Sequence, residues 1–143
     1  MTENVSQKSK ELFQSGYYCA ESVLLTIAEE KGIESDLIPK IATGFCSGMA
    51  RTGGMCGAVS GAMLALNLVT GRSTPGESIE VNYVGIRELL NSFAVKFGST
   101  NCMELVECDL GTEEGQKFYE ENNRFVQCLE YVGEATRMAL EKI

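Results

Sequence analysis

Six cysteines, Cys19, Cys46, Cys56, Cys102, Cys108 and Cys128, are the residues of this chain best suited to chemistry. A cysteine acts through its thiolate, as a nucleophile, as half of a disulfide or as a soft metal ligand. The chain has no histidine, which removes Cys-His hydrolase chemistry and haem attachment through CxxCH. No CxxC spacing occurs, so neither a zinc-ribbon knuckle nor a thioredoxin-type active site is available. Six cysteines in 143 residues lie well below the density of about 8–10% that marks a disulfide scaffold. A chain of this length buries roughly two thirds of its unfolded surface and folds without staples. Metal binding or redox chemistry is the remaining reason to gather several cysteines in one reducing compartment.

The element that must position them is the stretch from Gly44 to Gly71. Six glycines fall between Gly44 and Gly61, a density that signals tight turns and close backbone approach. They deliver Cys56 to the start of a segment, Met55 to Val69, that is apolar nearly all round and reads as a central buried helix. Gly57 and Gly61, four apart, leave one face of it open to a neighbouring helix. The loop from Gly44 to Gly54 holds Cys46 and one cation, Arg51, placed to stabilise a thiolate or an anionic cluster. With no preceding strand and no Lys-Ser/Thr ending, this loop is not a phosphate-binding loop.

The remaining elements follow from period and punctuation. Residues 3 to 15 form a polar helix ended by Gly16, and Cys19, Ala20, Val23, Leu24, Ile27 and Ala28 keep a helical period up to Gly32. Ser35 is the expected N-cap of a short helix over Asp36 to Ile41, with Pro39 near its start and Gly44 at its end. Gly71 to Ser78 is a loop. Ile79, Tyr83, Ile86, Leu90, Phe93 and Phe97 make one stripe of a long helix closed by Gly98, a stripe that serves a core or an oligomer interface equally well. Ser99 and Thr100 are the expected caps of a short helix over residues 101 to 108, Thr112 with Glu113 and Glu114 starts another, and a last helix spans about Asn122 to Lys142. No segment alternates like a strand. The expected fold is all-α, one domain over residues 1–143, a bundle of about six or seven helices.

A net charge of −8 argues against nucleic acid and anionic membrane as partners. Met55 to Val69 is shorter than the roughly 20 residues a bilayer requires, and the polar N-terminus lacks the apolar core of a secretory signal, so the expected place is the cytoplasm.

Cys19, Cys56 and Cys102 each fall in the first turn of an expected helix, where unpaired N–H groups and the dipole favour thiolate. Cys128 lies on the buried stripe of the last helix, which points to a converging site. CGAVSG, Cys56 to Gly61, resembles the CGAxxG signature of a family of redox-active proteins of about this length that carries four cysteines. GYYCAES around Cys19, FGSTNCMEL around Cys102 and a cysteine in the C-terminal helix extend the resemblance over most of the chain. The resemblance implies that Cys19, Cys56, Cys102 and Cys128 are the family four and that Cys46 and Cys108 are extras, though Cys46 shares the loop and is an alternative resolving thiol. Similar domains in some haem proteins are associated with an iron–sulfur cluster. The four would then act by thiol/disulfide exchange or hold an iron–sulfur cluster for electron transfer with an unknown redox partner, in preference to zinc. The alternative is a non-catalytic binding protein with structural zinc or merely buried cysteines.

Overall fold

The computed structural model describes residues 2–143. Eight α-helices and one 3-10 helix are formed among them: α1 (Thr2–Gln14), α2 (Cys19–Glu30), the 3-10 helix (Lys40–Phe45), α3 (Cys46–Arg51), α4 (Gly57–Thr70), α5 (Glu80–Phe97), α6 (Cys102–Val106), α7 (Glu113–Glu121) and α8 (Phe125–Leu140). The fold is all-α, and a lone antiparallel bridge pairs Met55 with Asn101. No described helix is long and apolar enough to cross a membrane.

Small residues decide the centre. The first turns of α4 bury Gly57, Ala58, Ser60, Gly61 and Ala62, and α2 lies directly against them. A Cβ at Gly61 would stand 2.6 Å from Ala20 O and 2.8 Å from Ala20 Cα, closer than real atoms come. α8 closes the other side with Val132, Ala135, Thr136 and Ala139, all fully buried. α1 crosses α8 where Ser6 Oγ donates to Gly133 O at 2.8 Å. α5 joins through Phe93, whose ring meets Phe97 at 4.8 Å and Tyr131 at 5.9 Å between centroids.

Local chemistry accounts for most boundaries. Gly98 ends α5 in the left-handed region at φ 87°, and Thr112 Oγ1 caps α7 by accepting from Gly115 N at 2.9 Å. Two expectations need correction. Ser35 caps no helix: its Oγ accepts from Leu37 N at 3.1 Å in a turn, the Ile38–Pro39 peptide is cis, and the 3-10 helix starts only at Lys40. Asn101, not Ser99 or Thr100, caps α6, accepting from Glu104 N at 3.2 Å, and α6 stops at Val106, leaving Cys108 outside it. The α5 stripe divides between core and surface, with Phe93 buried and Tyr83 49% exposed.

The segment between the 3-10 helix and α4 holds the least expected geometry. Ser47, Gly48, Met49, Ala50 and Arg51 all have φ between 57° and 68°, so α3 turns left-handed after Cys46. Such a turn costs L-residues roughly 1–2 kcal/mol each and needs tertiary support. Gly48 supplies it: a Cβ there would stand 2.5 Å from Cys102 Cβ and 3.0 Å from Cys102 Sγ, so its bare backbone packs onto that cysteine. Gly54 N donates to Gly48 O at 2.9 Å and closes the turn.

Candidate functional site

Four helix ends meet around one open cavity of about 400 Å³. Cys19, Cys56, Cys102 and Cys128 all line it, together with Arg51 from the left-handed turn and Tyr119 from α7. Phe13 and Phe125, stacked at 4.7 Å, form its apolar wall. Each cysteine arrives from a different segment. Cys19 is the first residue of α2, Cys56 the N-cap of α4, Cys102 the first residue of α6, and Cys128 sits one turn into α8. Two backbone bonds beside the Met55–Asn101 bridge, Cys56 N to Thr100 O at 2.7 Å and Cys102 N to Gly54 O at 2.8 Å, hold the starts of α4 and α6 side by side. Leu105 O accepts from Tyr131 Oη at 3.1 Å and Arg124 Nη2 at 3.2 Å, which fixes α6 against α8.

Burial, not the helix dipole, sets the character of the inner pair. The N–H groups of Ala58 and Val59 face the Cys56 sulfur and favour its thiolate, yet desolvation outweighs them and pushes it up to about 12. Burial pushes Cys102 up to about 12 as well, with Cys128 and Cys108 adding to the rise. First-turn placement was expected to favour thiolates at both; at neutral pH both are thiols. Cys128 is also raised by burial, against the opposing pull of a Tyr119 hydrogen bond and the Arg124 guanidinium. α7 brings Tyr119 into place although Gly115 is the one buried residue in that helix.

These values set an expected pH dependence of stability. Above the ordinary thiol value of 9.0 the unfolded chain loses protons that folded Cys56 and Cys102 retain. Stability therefore falls as pH rises from about 9 toward 12, by roughly 1.4 kcal/mol per pH unit for each thiol. Urea midpoints measured from pH 6 to 11 should stay level to about pH 8 and then drop, with a shallower drop in Cys56→Ala and Cys102→Ala. An unchanged slope in both variants would assign the effect to other groups.

All six cysteines are free, and Cys46 and Cys108 lie outside the cavity wall. Cys46 is 3% exposed, with its Sγ 3.6 Å from Ala42 O. Cys108 follows α6, near Arg124, which pairs with Glu107 at 3.0 Å. The donor set suits an iron–sulfur cluster or zinc in its chemistry. Its geometry does not: among the described residues no three Cys, Asp or Glu side chains gather closely enough to hold a metal ion. The four thiols face a shared space and do not converge on one point.

Sequence reasoning missed Tyr119, Arg124 and Tyr131. They sit on α7, before α8 and on α8, and nothing local marks them, because their roles depend on how α7 and α8 close over α6. The left-handed turn had one signal, the glycines at 48, 53 and 54, but four of its five residues carry ordinary side chains.

No curated protein and no solved structure matches this chain at a significant level. One family does match, described as "Putative redox-active protein (C_GCAxxG_C_C)", over residues 17–142. That span takes in all six cysteines and every helix after α1, and the chain belongs to this family.

Proposed function

We propose that the chain is a thiol/disulfide exchange protein whose Cys19, Cys56, Cys102 and Cys128 act at the shared cavity. The observation that carries this reading is the placement of four free cysteines from four segments on the wall of one open space. About 400 Å³ is within the size range of small-molecule sites, which supports a small disulfide as the reactant. Cys19 is half-buried whereas Cys56 and Cys102 are buried, so Cys19 is the thiol a substrate reaches first. Its thiolate attacks one sulfur of the substrate disulfide, forming a mixed disulfide and releasing the other half as thiolate. A second protein thiol then closes the protein disulfide and releases the remaining half. Arg51 in the same wall favours anionic substrates.

The test is a thiol count on protein purified without oxygen, before and after equilibration with glutathione disulfide. Loss of protein thiols in pairs, reversed by dithiothreitol, supports exchange. Six thiols unchanged after oxidation would remove the reading. A visible spectrum of the same sample decides the competing chemistry, since thiolate-to-iron bands that bleach on reduction would make this an iron–sulfur protein instead.

A further inference from the structure

Cys46 lies outside the cavity wall that Cys19 lines, yet the fold packs the two cysteines against the same glycine, Gly57. Cys46 lies at the end of the 3-10 helix, against the start of α2. Tyr18 precedes α2 and offers its first turn no side-chain acceptor. The N–H groups of Ala20 and Glu21 are turned instead to the Cys46 sulfur. Glu21 reaches back to Tyr18 N at 3.0 Å and accepts from Thr43 Oγ1 at 2.7 Å, which bolts the segment carrying Cys46 to the helix start carrying Cys19. Gly57 brings bare backbone up against both. A Cβ there would overlap Cys19 Sγ and stand 3.2 Å from Cys46 Cα. The Cys19 sulfur and the Cys46 backbone therefore pack against the same bare glycine, which makes the two cysteines neighbours.

We infer that Cys46, outside the four cysteines of the family resemblance, is the resolving thiol for Cys19, and that Cys19 and Cys46 close the first disulfide of this protein. The inference rests on the exchange reading above and names its pair. The co-reactant is a low-molecular-weight disulfide. Cys19 thiolate attacks one of its sulfurs, the S–S bond breaks, and one half leaves as thiolate. Cys46 then attacks the Cys19 sulfur of the mixed disulfide and displaces the second half, which takes up the Cys46 proton. Two electrons and two protons pass from the protein dithiol to the small disulfide, which becomes two thiols. As Cys46 ionises, the N–H groups of Ala20 and Glu21 receive the charge, as helix N-termini do for anions. In the resting protein desolvation and the neighbouring Cys19 hold Cys46 protonated, so it waits for Cys19 to react.

Reduced wild-type protein treated with limiting glutathione disulfide, quenched in acid, alkylated and digested should give one dominant linked pair of peptides, Cys19 with Cys46. In Cys46→Ser the Cys19–glutathione mixed disulfide should accumulate at least about tenfold above wild type, because an intramolecular resolving step has been removed. The peptide map needs no variant, and Cys46→Ala with a matching far-ultraviolet spectrum guards against misfolding. A first disulfide from Cys19 to Cys56, Cys102 or Cys128, or alkylated Cys46 in the oxidised protein, would overturn the pair while leaving exchange intact. No disulfide and no adduct at any cysteine would overturn both.

Discussion

Cys19→Ser is expected to slow the consumption of glutathione disulfide by the reduced protein roughly 100-fold or more, as loss of a leading nucleophile does. Serine matches cysteine in shape, so α2 keeps its first turn and the cavity its wall. Its hydroxyl does not ionise near neutral pH and cannot attack sulfur. The other cavity thiols do not replace it, since Cys56 and Cys102 are buried and held as thiols, with values near 12. Cys108→Ser is the control, because that residue lies outside the cavity wall and should stay within about twofold of wild type. The measurement is thiol release from glutathione disulfide under anaerobic single-turnover conditions. A Cys19→Ser rate equal to wild type would transfer the leading role to Cys128, the other half-buried cysteine of the cavity.

The second large effect concerns the fold that holds the site. Gly61→Ala places a methyl 2.6 Å from Ala20 O and 2.8 Å from Ala20 Cα, which are backbone atoms of a packed helix and cannot swing aside. Either α2 moves off α4 or the helices distort, and overpacking of this kind costs about 1–3 kcal/mol. For a chain of this size that is a fall in Tm of roughly 3–12 °C. Ala20 adjoins Cys19, so a shift of α2 also moves the leading thiol. Gly44→Ala makes the comparison, because nothing lies within 4 Å of its Cβ and its backbone is ordinary. It should change stability by less than about 0.5 kcal/mol. Scanning calorimetry on the two variants checks both, and a Gly61→Ala protein as stable as Gly44→Ala would mean that the helices are not in close contact there.

The parts of this protein that were legible in its sequence are those fixed by neighbours along the chain. Gly98 and Thr112 marked helix ends correctly because capping is a matter of three or four residues. The Gly57 and Gly61 spacing announced a close helix, which is α2. The four cysteines that line the cavity were named from their first-turn or stripe positions. What was illegible depends on burial and on contacts across the chain. First-turn placement pointed to thiolates at Cys56 and Cys102, but burial reverses that and burial is not a local property. The sulfur facing the first N–H groups of α2 belongs to Cys46, 27 positions beyond Cys19, and no period or cap in the sequence connects them.

The left-handed turn at residues 47–51 has a stereochemical consequence. It is one turn of the mirror image of an ordinary helix, so its natural building blocks would be mirror-image amino acids. Ala50 is exposed, and its L-configured Cβ crowds the following carbonyl by about 1–2 kcal/mol. A D-alanine at that position would sit as comfortably as L-alanine does in α4, and a semisynthetic chain carrying it would hold Arg51 and the backbone under Cys102 more firmly than ribosomal chemistry allows.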